Sequence, residues 1–226
     1  MSDPSTGTLA ERFERVTAEV DEAARAADRD PAEITTIVVT KFHPASLVRE
    51  LAGLGVRHVG ENRHQDAGPK AAQLTDLDFE WHFVGQLQSK KARQVVEYAR
   101  VIHSIDRLSL VKALDGASVD AFIQLNLTDD PARGGVRPDE LEALAEAVLA
   151  TSTLRLCGVM AVAPLGEEPR AAFARVREAS QRLRTLAPDA NKLSMGMSQD
   201  FREAIAEGAT HLRIGTAITG NRPTAG

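Results

Sequence analysis

A lone lysine stands at the end of the most apolar run in the first fifth of the chain. The run extends from Ile34 to Lys41 and is rich in β-branched residues. In a mostly apolar setting an ammonium group loses solvation, which favours the free amine that attacks an aldehyde or a ketone. Lys41 is therefore a candidate Schiff-base nucleophile. The alternative is a lysine whose stem lies along a strand end while its amine reaches water.

Polar or small residues also lie in the last part of most of the other apolar segments or directly after them. They are Gly60, Glu61 and Asn62, then His82, Gly85, Asp106, Asn126, Ser198, Arg213, Gly215 and Thr216. In a barrel of parallel strands the carboxyl ends meet at one rim, where binding residues gather. A lysine, an arginine, amides and small turns on one rim predict a site for an anionic ligand that carries a carbonyl group.

Two small-residue turns close the last two strands, in the segments 194–198 and 213–216. Loops after the seventh and eighth strands of such barrels often bind phosphate through backbone N–H groups and short hydroxyls. Ordinary turn chemistry is the alternative, since Gly, Ser and Thr are common in loops.

Apolar, β-branched segments alternate with segments of helical periodicity along the chain. Eight segments are predicted as strands: Ile34–Lys41, Val56–Gly60, Phe79–Val84, Val101–Ile105, Val119–Leu127, Leu154–Val162, Leu193–Met197 and His211–Gly215. The helical stretches between them are clearest at Pro44–Leu54, Lys90–Ala99, Pro138–Ala150 and Arg170–Leu186. Eight such units predict an α/β fold, a (β/α)8 TIM barrel. An open doubly wound sheet is the alternative, but no Gly-rich dinucleotide turn follows the first strand.

A single domain over residues 1–226 is expected, with an N-terminal helix in 1–30, the barrel in 34–216 and a C-terminal tail in 217–226. Only about ten residues follow the eighth strand, which is too short for a normal eighth outer helix. The N-terminal helix is therefore expected to cover the gap between the first and eighth strands.

Composition argues against several classes of function. The net charge of -5 and the absence of a long Lys/Arg run argue against nucleic-acid binding. The single Cys157 fits a reducing compartment, and no membrane segment or leader is recognised, so we expect a cytoplasmic location. The six histidines form no HExxH motif and no close Cys/His pair, so no metal site is expected. His58 and His211 are interpreted as core residues.

Several segments together resemble the pyridoxal 5'-phosphate (PLP) homeostasis proteins, and the resemblance spans nearly the whole chain. The segments that carry it are VVTKFHP at 38–44, GENRHQ at 60–65, WHFVGQLQ at 81–88, HSID at 103–106, LSMGMSQD at 193–200 and RIGT at 213–216. The chain departs from the family pattern at Phe42, Lys90, Arg133 and Thr219.

The resemblance implies a barrel similar to the N-terminal domain of alanine racemase, with PLP held as a Schiff base on Lys41. It further implies that Ser198, Gly215 and Thr216 hold the phosphate and that Arg213 faces the pyridine nitrogen. Asn62 and His82 would lie near the ring. The family implies storage or delivery of PLP, with PLP-dependent apo-enzymes as possible partners and no established turnover. A monomer is favoured.

Two alternatives stay open. One is a single-domain PLP-dependent amino-acid racemase, although the chain contains only one tyrosine, Tyr98, in a predicted helix, and no second domain. The other is a class I aldolase-type barrel, in which Lys41 attacks a substrate ketone without a cofactor. A PLP carrier should be yellow and bleach with borohydride, whereas an aldolase should be colourless.

Overall fold

The computed structural model describes residues 6–222, and its strands close into a parallel barrel. The strands are Thr35–Val39 (β1), His58–Glu61 (β2), Glu80–Phe83 (β3), Ala99–Ile105 (β4), Val119–Gln124 (β5), Leu154–Met160 (β6), Lys192–Ser194 (β7) and His211–Ile214 (β8). β1 pairs in parallel with β8 and completes the ring. The predicted barrel is confirmed, and the open sheet is excluded. Residues 1–5 of the predicted N-terminal segment and 223–226 of the predicted tail lie outside the described residues.

Helices alternate with these strands. They are Leu9–Ala26 (α1), Ala45–Gly53 (α2), His64–Ala72 (α3), Ala92–Val95 (α4), Leu108–Leu114 (α5), Leu141–Leu149 (α6), Pro169–Leu186 (α7), Phe201–Ala206 (α8) and Thr216–Thr219 (α9). The prediction of a helix over Lys90–Ala99 is wrong at both ends, because a 3-10 turn precedes α4 and Ala99 begins β4. Over residues 6–222, no helix is long and apolar enough to cross a membrane.

The N-terminal helix covers the face beside the eighth strand. Thr8 and Glu11 form a capping box that starts α1, and the helix buries Val16 and Val20. α1 packs against α8 and α9, and Arg12 Nε donates to the Ile218 carbonyl at 2.7 Å. Since α9 is a single turn, α1 takes the place of a full eighth helix, as the sequence predicts.

The two faces of the barrel wall differ in character. The main apolar core lies between strands and helices, where residues such as Val38, Val59 and Leu212 are buried. A smaller apolar cluster contains Val101, Phe122 and Met160. Several polar side chains are buried as well, among them His82, His103, Ser194 and Arg213. Because alternate strand residues face opposite sides, these side chains form a polar layer inside the barrel.

Candidate active site on the carboxyl-end rim

Lys41 lies in the turn that follows β1, at the rim formed by the carboxyl ends of the strands. β1 pairs with β2 on one side and with β8 on the other. The expectation of a mostly apolar setting for Lys41 is wrong, because the residue is exposed. β1 ends at Val39 rather than at the lysine, so the amine extends from a turn and is accessible from solvent.

The residue after the lysine has an unusual backbone conformation. Phe42 has a φ of 70°, in the left-handed region that bulky residues rarely adopt. Two cations lie near its ring, with Lys41 Nζ at 5.9 Å and Arg222 Cζ at 4.3 Å from the ring centroid. Strained residues of this kind often occur at binding sites. The turn that carries the lysine is therefore a constrained segment.

A buried ion pair supports the backbone immediately before Lys41. Lys70, on α3, forms an ion pair with Glu61 Oε1 and donates to the Thr40 carbonyl at 2.9 Å. The Thr40 hydroxyl donates to the same Glu61 oxygen at 2.7 Å. All three side chains are buried, so this cluster fixes the start of the turn. Sequence analysis missed Lys70, since nothing in its local pattern indicates a contact with β1.

The predicted phosphate-binding residues converge where β7 and β8 end. Ser198 Oγ accepts a hydrogen bond from the Ala217 backbone N–H at 3.3 Å and lies 3.5 Å from Thr216 Oγ1. Gly215 lies against β1, because a Cβ at this position would stand 3.6 Å from Cβ and the carbonyl oxygen of Val39. The hydroxyls of Ser198 and Thr216 thus lie together beside the strand that leads to the lysine, and groups of this type can donate to an oxyanion.

Arg213 lies inside the barrel, two residues before Gly215 on the same strand. The residue is 5% exposed. Nη1 donates to Ser194 Oγ at 2.7 Å and Nη2 donates to the Ala161 carbonyl at 2.8 Å. Burial lowers the pKa of Arg213 to about 10, which still leaves it protonated at neutral pH. The structure therefore places a fixed cation inside the barrel on the strand that leads to the rim turn.

His82 belongs to a row of polar side chains that crosses the barrel interior. Its ring nitrogens lie 3.0 Å from His58 Nδ1 and 2.9 Å from His103 Nε2. His103 Nδ1 lies 2.8 Å from Ser194 Oγ, which also accepts from Arg213. Burial lowers the pKa of both His82 and His103, so both rings are neutral at pH 7. The predicted contact of His82 with a ligand ring stays a prediction.

The two asparagines of the rim differ in their contacts. Asn62 follows β2 and lines a cleft of about 570 Å³ together with Gly85 and Gln88. Asn126 Oδ1 instead accepts from the backbone N–H and the hydroxyl of Thr128, and its amide donates to the Asp130 carbonyl. Asn126 thus organises its own loop, whereas Asn62 can contact a ligand. The contacts that join His103 and Ser194 to Arg213 are not predicted by the sequence, because they depend on closure of the barrel.

Comparison with known proteins defines the class of barrel. The sequence model of the alanine racemase N-terminal domain matches residues 13–223. Among solved structures, alanine racemase from Corynebacterium glutamicum has a TM-score of 0.71 at 17% identity, over 94% of this chain and 62% of that chain. At this identity the likeness concerns the fold alone. The fold is therefore a barrel of the alanine racemase N-terminal type.

Relatives of higher identity define the family within this class. A "Pyridoxal phosphate homeostasis protein" of Pseudomonas aeruginosa is 43% identical, over 95% of this chain and 96% of its own length. Its Escherichia coli K12 counterpart is 37% identical, over 95% and 97%. The PLP-bound structure of PipY from Synechococcus elongatus is 37% identical with a TM-score of 0.83, over 94% of this chain and all of that chain. The chain belongs to the family of pyridoxal phosphate homeostasis proteins, which confirms the resemblance.

Proposed function

We propose that the protein binds PLP on the carboxyl-end rim, as a Schiff base on Lys41, and serves the homeostasis of this cofactor. The PLP-bound PipY structure and the names of the curated relatives support the proposal. The observation that carries it is the position of Lys41 beside the pair formed by Ser198 and Thr216. Lys41 follows β1, Thr216 follows the neighbouring strand β8, and Ser198 follows β7, which pairs with β8.

The donor types on the rim fit the chemical groups of PLP. An amine suits the aldehyde, and the hydroxyls of Ser198 and Thr216 with the backbone at Gly215 suit the phosphate. Arg213 suits the pyridine nitrogen, where a permanent cation keeps the nitrogen unprotonated. PLP supplies an electron sink when it is bound, and an unprotonated ring weakens that sink. This arrangement favours holding the cofactor over carbanion chemistry.

Asn62 and His82 have less direct roles in the proposal. Asn62 borders the rim beside Lys41 and is available to the ring of the cofactor. His82 acts through His103 and Ser194 on the orientation of Arg213. We further propose that the protein is a cytoplasmic, monomeric, single-domain carrier that stores PLP or delivers it to PLP-dependent apo-enzymes.

An absorbance spectrum before and after borohydride, followed by peptide mass mapping, tests the cofactor and the lysine together. We expect a yellow protein that bleaches and carries a pyridoxyl group on Lys41. Lys41→Ala should lose the colour, while Lys112→Ala, which removes an exposed lysine on α5, should retain it. A colourless protein that stays unlabelled after incubation with PLP would contradict the proposal and favour the aldolase. Steady turnover of D- or L-alanine would favour the racemase.

A further inference from the structure

Three metal-ligand side chains meet at the amino-terminal end of the barrel, away from the rim that carries Lys41. His58 is the first residue of β2 and Glu80 the first of β3, and the register pairs them directly. His82 follows two residues later on the same face of β3. His58 Nδ1 lies 3.0 Å from His82 Nε2, and each nitrogen lies 3.3 Å from Glu80 Oε1.

The distance between the two imidazoles is that of a hydrogen bond, but the contacts of both histidines with Glu80 are longer than well-formed hydrogen bonds. Hydrogen bonds from an imidazole N–H group to an oxygen are about 2.7–3.2 Å long, shorter than both contacts with Glu80. Tetrahedral zinc with bonds of about 2.0–2.1 Å holds its ligand atoms about 3.3 Å apart. The three sides of the observed triangle are close to that spacing. The donor atoms are therefore placed as one face of a metal tetrahedron.

We propose that His58, Glu80 and His82 form a binding site for a divalent transition metal of the zinc class. Two imidazoles and one carboxylate form a donor set typical of zinc, with one position left for water. The site is reachable from solvent, since the side chains of His58 and Glu80 are 35% and 45% exposed. His82 forms the buried end of the site, with a side chain that is 1% exposed.

The surroundings support the proposal in two respects. The second ring nitrogen of His82 contacts His103. Metal-ligating histidines generally have such an outer partner, which fixes their tautomer. Glu80 also lines a cavity of about 190 Å³ that can supply the water ligand. Arg155 and Lys192 also line this cavity. Arg155 forms an ion pair with Asp120, which limits its repulsion of a bound cation.

Zinc binding by the purified protein tests the site. We expect wild-type protein to compete for Zn²⁺ with a chromophoric chelator at one equivalent. His58→Ala and Glu80→Gln should each weaken binding at least tenfold. The matched control is His64→Ala, which removes a half-buried histidine on α3 and should bind zinc like the wild type. Co²⁺ in place of Zn²⁺ should give the intense visible bands of tetrahedral coordination in wild-type protein, and these bands should be lost in Glu80→Gln.

The remaining thiol must be separated from the proposed site, since Cys157 lines the same cavity. Burial raises the pKa of Cys157 to about 11, which disfavours the thiolate that binds zinc. Cys157→Ser should therefore keep the affinity. The proposal is overturned if zinc affinity is lost in Cys157→Ser, or if it is equal in the wild type, His58→Ala and Glu80→Gln. Folding of each variant is checked by circular dichroism, and a result on Glu80→Gln alone suffices if His58→Ala does not fold.

Discussion

His103 is joined to Ser194 by a contact of 2.8 Å between Nδ1 and Oγ, and the same hydroxyl accepts a hydrogen bond from Arg213. Ser194 therefore connects the buried histidines with the guanidinium proposed to face PLP. Imidazoles and hydroxyls can each donate or accept, so this row of bonds has two proton arrangements. A cation on His82 Nε2 would select the arrangement in which His82 donates to His103 and His103 donates to Ser194.

Replacing this connecting hydroxyl should destabilise the protein. In Ser194→Ala, buried groups of His103 and Arg213 lose their partner, which should cost about 1–3 kcal/mol of unfolding free energy. Urea unfolding followed by circular dichroism measures the change. The matched control is Ser104→Ala on β4, because Ser104 is also buried and its hydroxyl has no hydrogen-bond partner among the described residues. Equal losses in the two variants would contradict the connecting role of Ser194.

Stability should fall as the pH is lowered below about 6.5. Burial lowers the pKa of His82, His103 and His211, that of His211 to about 3. The unfolded chain then binds protons that the native state does not, so the stabilisation present above pH 6.5 is lost on acidification. For each histidine that stays neutral in the native state, the free energy of unfolding should fall by up to about 1.4 kcal/mol per pH unit of acidification.

Unfolding free energies measured at several pH values between about 7.5 and 4.5 test this dependence. The variant His211→Gln should show a shallower slope, because one of the three histidines no longer titrates. A wild-type free energy that is constant over this range would exclude neutral buried histidines in the native state.

The sequence predicts the barrel well because each strand carries its own local signal, a β-branched run that ends in a polar or small residue. Residues after such runs necessarily meet at the rim. The sequence therefore predicts that Lys41, Ser198 and Thr216 belong to one site there. The end of β1 is less predictable. Thr40 and Lys41 stand at the end of the apolar run and are predicted to belong to the strand, but the strand ends at Val39 and a turn follows.

Contacts across the barrel leave no local pattern in the sequence. Sequence spacing does not indicate the triangle of His58, Glu80 and His82, because the register of β2 and β3 is what pairs His58 with Glu80. The ion pair of Glu61 with Lys70 was missed for a similar reason, since it depends on how α3 packs against the ends of β1 and β2.

Removal of the cation from that ion pair should be strongly destabilising. Lys70→Met leaves the buried Glu61 carboxylate unpaired, which should cost about 3–5 kcal/mol. Adding Glu61→Gln should recover part of the loss, because the amide is neutral. Arg49→Met breaks an exposed ion pair with Asp76 and should cost no more than about 1 kcal/mol. Urea unfolding of the three variants measures the differences, and similar losses in Lys70→Met and Arg49→Met would contradict a supporting role for the buried pair.

Removing one rim hydroxyl should separate recognition of the phosphate from recognition of the aldehyde. Ser198→Ala deletes the oxygen that contacts Thr216 and Ala217, so the Kd for PLP should rise about tenfold, the equivalent of one hydrogen bond of about 1.4 kcal/mol to a charged group. Pyridoxal, which lacks the phosphate, should bind the variant and the wild type equally. Spectroscopic titration with both compounds measures this, with the exposed Ser118→Ala as a control that should change neither Kd. An equal loss for pyridoxal and PLP would place Ser198 away from the phosphate and would require another anion site on the rim.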